Sequence, residues 1–449
     1  MYLQNVQVPL HAIVSFLLDV VVILAVAVFV ASPALPFGVF NFSLVFGFNL
    51  FGIAASVVVA AFIMGLYQRE FWGRGKLPSR LLMAFVLSVA VALGLSRLGS
   101  LSGNVWTEIL LINALAFTLM LINRLICNVI AERMKTSVTY FGSNEGLAAL
   151  RNIEQSLKPR TFSIGREFSF DKDKSEEQLK NLFGELRRPG INEVVVVGPD
   201  AKMSAFATEF LSLRRANVSV TPLSAFVERE TRTVNIYDPE AVRQLAFYRA
   251  QRTRLSLVLK RLIDVSFALG FLLLTLPVTA LVCLMILLLE GRPFFYHQER
   301  VGLSGRNFTL YKFRSMSINA EADGVARWAT FMDSRVTPIG RILRITRIDE
   351  IPQLINVLRG DMTLVGPRPE RPGIVASLEK QIPLYASRHS VKPGLTGWAQ
   401  INFHYGASVE DAVVKTCYDL YYVKNASLLL EIVILLQTVR VILLGEGSR

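Results

Sequence analysis

The pair Asp349-Glu350 is where adjacent side chains of this 449-residue chain could most directly do chemistry. Two neighbouring carboxylates can hold a hard divalent cation such as Mg2+ through oxygen. One of them could also attack phosphorus, because aspartate is an established phosphoryl acceptor. Ile348, Ile351, Leu354, Ile355 and Leu358 recur at helical spacing, so a helix is predicted to begin here. Asp349 would be its N-cap, with Pro352 in the first turn. A helix start favours bound phosphate as well as a capping carboxylate. The spacing therefore fits both a structural cap and a reactive pair.

Basic groups surround this pair in sequence. Lys312 and Arg314 flank Phe313 in a strand-like stretch and are predicted to share a face, as a phosphate site or a solvated strand would require. Asp333-Ser-Arg-Val-Thr-Pro-Ile-Gly340 is followed by Arg341, Arg344 and Arg347. In Val365-Gly-Pro-Arg-Pro369, two prolines fix the backbone around Arg368. A rigid arginine suits bidentate phosphate binding, although a plain turn with a surface arginine has the same residues. Lys392-Pro-Gly-Leu-Thr-Gly-Trp-Ala-Gln400 reads as a tight loop presenting Trp398 and Gln400. A nucleobase could stack on Trp398, or the indole could be buried. The candidate substrate-binding residues are Lys312, Arg314, Arg368, Lys392, Trp398 and Gln400, with Asp349 and Glu350 as candidate metal ligands.

Composition says what must carry these groups. Hydrophobic residues make up 52% and charged residues 18%, with mean hydropathy +0.43. Soluble domains carry about 25% charge, so the deficit excludes disorder and argues against a wholly soluble protein. The net charge of +13 on an apolar chain points to an anionic membrane face and phosphate-bearing ligands, with nucleic acid as the rival reading. Three scattered cysteines exclude a disulfide framework or a cysteine zinc site.

Four apolar spans are predicted at His11–Ala31, Leu44–Tyr67, Leu81–Leu98 and Val105–Ile130. Arg69, Arg74, Lys76 and Arg80 follow the second span, and Arg124, Arg133 and Lys135 flank the exit of the fourth. The positive-inside rule then places both ends of this bundle in the cytoplasm. Asp19 and Glu108, within or beside spans, could pair inside it. Residues 136–228 read as a small doubly wound α/β domain, with strands at Ser137–Phe141, Glu193–Gly198 and Val218–Thr221 and helices at Glu145–Leu157 and Ala201–Arg215. Its first turn, Gly142 to Gly146, lacks the Gly-x-Gly-x-x-Gly spacing of a dinucleotide site, which favours a structural or regulatory role. Residues 229–259 read as a linker with a helical end.

Val265 to Leu289 is 25 residues without a charge, with Pro277 near its middle. Basic residues flank both sides, Arg252 to Arg261 before and Arg292 to Arg306 after. The flanks argue for a proline-broken re-entrant helix at 262–289 that returns to the same side. A kinked span is the alternative on length alone.

In order, Lys260-Arg-Leu-Ile-Asp264, the proline-broken helix, Glu299-Arg-Val-Gly302, Lys312-Phe-Arg-Ser315, Asp349-Glu-Ile-Pro-Gln353, Val365-Gly-Pro-Arg-Pro369 and Lys392-Pro-Gly-Leu-Thr-Gly-Trp398 resemble the bacterial polyprenyl-phosphate sugar-1-phosphate transferases. The resemblance covers 260–449, and the segments in front look like the long form that initiates exopolysaccharide synthesis. Tyr405 to Asp411 and Tyr418 to Asn425 look like an exopolysaccharide subgroup associated with exosortase systems. Thr275-Leu-Pro277 departs from the Ser-Pro common at the break but keeps the proline.

The implied fold is a mixed membrane protein: a four-helix transmembrane bundle at 1–135, the Rossmann-like domain, and an α-rich catalytic domain with a re-entrant membrane helix. The implied reaction takes a UDP-sugar and undecaprenyl phosphate to undecaprenyl-diphosphate-sugar and UMP. Asp349 is implied as nucleophile and Glu350 as a Mg2+ ligand, on the cytoplasmic face of a bacterial inner membrane. Membrane lipid and a second copy in a homo-oligomer are the other expected partners. A membrane-bound nucleotide-sugar dehydratase would need a glycine-rich loop and a Tyr-x-x-x-Lys pair, and a polysaccharide-export scaffold would not need the carboxylate pair.

Overall fold

The computed structural model describes residues 2–3, 6–7, 10–30, 44–67, 77–98, 105–133, 136–157, 162–170, 186, 191–196, 207–247, 253–317, 333, 335–403 and 408–444. They form two compact units that divide between Thr231 and Arg232.

The first unit opens with four apolar helices: α1 (Leu10–Val30), α2 (Leu44–Ile63), α3 (Leu77–Leu98) and α4 (Val105–Arg133). They fall on the four expected segments. Among the described residues, Leu77–Gly94 and Ile109–Val129 are long and apolar enough to cross a membrane, and Val14–Val26 and Gly52–Ile63 are apolar parts of α1 and α2. α1 packs on α2 and α4, and α3 packs on the same two helices. Arg124, read from sequence as part of the basic exit of the fourth span, is instead buried. Its guanidinium pairs with Asp19 at 2.5 Å and donates to the Leu66 carbonyl at 2.7 Å. Asn123 also donates to Asp19, at 2.7 Å. Asp19 thus finds its partner in α4, and the Glu108 side chain lies outside the described set.

A four-stranded parallel sheet follows, built from β1 (Thr136–Ser143), β2 (Phe162–Phe170), β3 (Glu193–Val196) and β4 (Ser219–Pro222) in the order β2-β1-β3-β4. Helices α5 (Asn144–Ser156), α6 (Ala207–Arg215) and α7 (Leu223–Thr231) accompany it. The order is that of a doubly wound sheet. Ser143 caps α5 by accepting from the Gly146 amide, so the turn at Gly142 is used to start a helix. Strand β2 was not anticipated. It is an edge strand carrying Arg166 and Glu167, and edges tolerate polar residues that blur the apolar signal.

The second unit has one continuous core. Val234, Ile236 and Ala241 from the segment 229–259 are buried in it, the last on α8 (Pro239–Phe247). Helices α9 (Arg254–Leu274) and α10 (Leu276–Glu290) meet at a 58° bend. Pro277 sits in the first turn of α10 and has no N–H to continue the helix ladder. Thr275 Oγ1 takes up the Phe271 carbonyl at 2.7 Å.

Both ends of this bent pair are fastened to the same unit. Arg261 donates to the Val357 and Leu358 carbonyls (2.6 and 2.7 Å), and Asp264 accepts from Thr363 Oγ1 and the Leu364 amide. At the far end, Arg314 donates to the carbonyls of Glu290 and Gly291, both at 2.9 Å. The pair leaves large apolar side chains exposed, among them Leu273 and Leu274 at the bend and Leu288 and Leu289 at the end of α10.

The hairpin β5 (Phe295–Val301) and β6 (Asn307–Phe313) is followed by α11 (Pro338–Ile345), α12 (Gln353–Arg359) and the parallel pair β7 (Thr363–Val365) and β8 (Gly394–Thr396). Helices α13 (Pro372–Gln381), α14 (Trp398–Asn402), α15 (Val409–Asn425) and α16 (Leu428–Leu443) close the unit.

Candidate active site

Asp349 and Glu350 lie in a 3-10 turn, Ile348–Glu350, entered through Arg347 in the left-handed conformation (φ 59°). Helix α12 starts only at Gln353, with Pro352 at its cap position and no side-chain cap bond. The expectation that Asp349 caps the helix is therefore corrected. The left-handed residue and the tight turn displace the carboxylates from the helix axis, and Asp349 is buried without a capping role.

The two carboxylates have different company. Glu350 Oε1 is 2.7 Å from Arg368 Nη2, 3.1 Å from Lys312 Nζ and 3.6 Å from Arg347 Nη1. Burial raises its pKa, but Arg368, Lys312 and Arg347 outweigh burial and hold it well below the usual range. For Asp349, only the Lys312 ammonium, at 3.9 Å, forms an ion pair among the described residues. Burial pushes its carboxyl up, against the pull of Lys312, and the Glu350 charge adds to the rise. Glu350 is an anion held by three cations through Oε1, and Asp349 is a less neutralised carboxylate beside it.

Arg368 is held by an interlock of two motifs. The Thr363 amide donates to Pro393 O, Gly366 to Thr396 O, and Gly394 to Pro367 O, each at 2.9 Å. A Cβ at Gly366 would lie 2.4 Å from the Lys392 carbonyl, and one at Gly397 would lie 2.2 Å from the Gly366 carbonyl. Only glycine allows these backbones to touch. The Gly-Pro-Arg-Pro and Lys-Pro-Gly-Leu-Thr-Gly stretches are thus two halves of one support.

Asp349, Glu350, Lys312 and Arg368 line a cavity of about 1370 Å³. Arg300, Arg341, Arg344 and Arg347 add positive charge to its wall, while Phe267, Phe271, Val278, Leu435, Val439 and Ile442 make another part apolar. A cationic wall beside an apolar one suits an anion joined to a hydrocarbon. Arg344 is braced by Ser315 Oγ at 2.9 Å. Arg300 and Arg347 were not among the candidate residues. Arg347 carried a signal in the three-residue arginine spacing after Gly340, and Arg300 carried one as part of the Glu299-Arg-Val-Gly302 stretch.

The other candidates are dispersed. Arg314 lines the cavity but spends Nη2 on the end of α10. Gln400 lines the cavity and donates to the Leu395 carbonyl at 3.2 Å. Lys392 is not among the cavity-lining residues, and its ammonium lies by Gly360, past the C-terminus of α12. Trp398 is buried, donates to the Arg232 carbonyl at 3.1 Å and stacks on Tyr421. Its indole faces are spent on the core, which corrects the expectation of a nucleobase platform. Pro277 lies at the helix bend, as expected.

For Mg2+, the donor chemistry fits. The described contacts of Glu350 fall on Oε1, which leaves Oε2 and the Asp349 carboxylate as hard oxygens in adjacent residues. Mg2+ characteristically uses one or two carboxylates and completes its shell with water and substrate phosphate.

The cavity is thus cationic, carries the two carboxylates, and is lined on one side by the bent apolar helix pair. Residues 255–445 match the family model described as bacterial sugar transferase. A UDP-glucose:undecaprenyl-phosphate glucose-1-phosphate transferase from Caulobacter vibrioides is 41% identical over 191 residues, covering 42% of this chain and 71% of that protein. The chain belongs to this bacterial sugar transferase family. It is also 44% identical over 191 residues to a UDP-N-acetylgalactosamine-undecaprenyl-phosphate N-acetylgalactosaminephosphotransferase from Aeromonas hydrophila, covering 42% of this chain but only 45% of the relative. An undecaprenyl-phosphate glucose phosphotransferase from Komagataeibacter xylinus is 32% identical over 320 residues, 69% of this chain and 59% of its own length. That match is too long to fit in the C-terminal unit alone.

Proposed function

We propose that this chain is a membrane phosphoglycosyl transferase that moves a sugar-1-phosphate from a UDP-sugar to undecaprenyl phosphate and releases UMP. The observation that carries the reading is the unequal pair: Glu350 ion-paired with three cations and Asp349 with one among the described residues, at a cavity with a cationic and an apolar wall.

In this reading an Asp349 oxygen attacks the sugar-bearing phosphorus. A carboxylate–phosphorus bond forms, the phosphorus–oxygen bond to UMP breaks, and UMP departs with the electron pair. An oxygen of undecaprenyl phosphate then attacks the same phosphorus and displaces Asp349 as free carboxylate. Lys312, Arg347 and Arg368 neutralise Glu350 and remain available to the phosphoryl oxygens, since this chemistry is mostly positioning and charge neutralisation. Mg2+ held by Glu350 and Asp349 would neutralise diphosphate charge when bound. The apolar wall from α9, α10 and α16 receives the polyprenyl chain.

The bent pair α9–α10 serves as a re-entrant membrane element. Its two ends are bonded to one folded unit, which supports a return to the same side. With α1–α4 as four spans, the site faces the cytoplasm at the inner membrane, where nucleotide sugars are made. Its place is the first step of exopolysaccharide assembly.

The test is UMP release by the full-length protein from a panel of UDP-sugars, with and without undecaprenyl phosphate. With at least one UDP-sugar, UMP release beyond one equivalent per enzyme is expected only when undecaprenyl phosphate is present. A chain that releases none with any of them is not this enzyme.

A further inference from the structure

Three consecutive carbonyls of the Arg368 turn are each held by a different donor. The Gly394 amide donates to Pro367 O at 2.9 Å, Arg388 Nη2 to Arg368 O at 2.8 Å, and Arg300 Nη1 to Pro369 O at 3.0 Å. The turn needs such donors because Pro367 and Pro369 supply no N–H of their own.

Arg388 is the most deeply anchored of the two arginines. It lies in the 3-10 stretch Tyr385–Ser390 and is buried. Its Nη2 also meets Asp419 Oδ2 at 2.7 Å, and Nη1 donates to the Tyr385 hydroxyl at 2.6 Å, with the guanidinium 5.0 Å from the Tyr385 ring centre. Asp419 is itself buried on α15. A planar fork bonded on two edges has no rotational freedom left, so it transmits the position of α15 to the Arg368 backbone. At the other end of the same residue, the Arg368 side chain meets Glu350 at 2.7 Å.

We propose that Arg388, anchored by Asp419 and Tyr385, is a positioning residue that sets the Arg368 guanidinium on Glu350 and on the reacting phosphate. Arg388, Tyr385 and Asp419 line the far part of the same cavity, but among the described residues no bond joins Arg388 to the carboxylate pair, so its reach to Glu350 runs through Arg368. The inference rests on the phosphoryl-transfer reading of the cavity.

The test is a double-variant cycle on UMP release by the full-length protein in detergent. Arg388→Lys keeps the charge but cannot bridge Arg368 O, Asp419 and Tyr385 together. It is expected to lower kcat about tenfold, the effect of losing one charge-assisted buried hydrogen bond, with little change in KM for the UDP-sugar. In an Arg368→Lys background the same change is expected to have no further effect. Losses that multiply in the double variant would overturn the proposal. Tyr385→Phe, which removes one hydroxyl and keeps the ring, repeats the cycle if Arg388→Lys does not fold.

Hydrogen exchange decides the matter independently of activity. Arg388→Lys should speed exchange at the amides of Gly366 and Arg368 and leave α12 unchanged. Unchanged exchange at Gly366 and Arg368 would also overturn the proposal. An inactive wild-type chain would remove the transferase reading and with it the phosphate half of the proposal, whereas this exchange pattern in that chain would keep only the hold of Arg388 on the Arg368 backbone.

Discussion

Arg368 Nη2 lies 2.7 Å from Glu350 Oε1, and this contact separates two carboxylates that are neighbours in sequence. Lys312 bridges the pair unequally, at 3.1 Å to Glu350 and 3.9 Å to Asp349. One carboxylate is therefore fixed as an anion by its surroundings. The other is buried with less compensation, which leaves its oxygens more available for attack.

That difference predicts the outcome of changing each carboxylate. Asp349→Asn should lower turnover by about 10³-fold or more, as loss of a nucleophile does, with the melting temperature nearly unchanged because Asp349 caps no helix. Glu350→Gln should weaken the apparent affinity for Mg2+ as well as turnover. Initial-rate kinetics of the wild type should be ping-pong, with UMP formed before the lipid phosphate is needed. Sequential kinetics, or substantial turnover by Asp349→Asn, would remove the covalent step and leave direct attack by the lipid phosphate.

The bent helix pair predicts topology. A cysteine at Arg306, an exposed position after α10, in a chain whose three native cysteines are replaced, should resist an impermeant maleimide in intact cells and react after lysis. Labelling in intact cells would show that α9–α10 spans and would put the cavity on the wrong side. Pro277→Leu restores an N–H in the first turn of α10 and should shift part of the population toward labelling.

Trp398 is predicted to matter for stability and not for nucleotide binding. Trp398→Phe leaves the Arg232 carbonyl without its donor and should cost about 1–2 kcal/mol in urea unfolding. KM for the UDP-sugar should stay at the wild-type value. A selective rise in KM with unchanged stability would return the indole to the substrate.

His389 gives a pH dependence with a definite sign. Burial, with the Arg388 charge beside it, lowers its pKa from 6.5 to about 4. Between these values the unfolded chain takes up a proton that the folded chain refuses, so this group's contribution to stability is full above pH 6.5 and lost as pH falls toward 4. His389→Gln should flatten the fall in melting temperature across that interval. An equally steep fall in the variant would show that other groups set it.

Much of this protein is written locally in its sequence. The four apolar segments, the break at Pro277, the parallel strands β1 and β3 and the stiff Arg368 turn each follow from short-range residue types, because periodicity, missing prolyl N–H groups and apolar runs act within a few residues. Asp349 and Glu350 stood out as a candidate pair for the same reason. Their inequality was not. It depends on Lys312 and Arg368, which lie 38 and 18 residues from Glu350 along the chain and are brought to it by the hairpin and by the interlocked glycines. The fates of Trp398, bonded to a carbonyl 166 residues away, and of Arg314, turned to the end of α10, were equally beyond local reading. Charge and burial are properties of neighbourhoods, and tertiary packing decides which distant groups become neighbours.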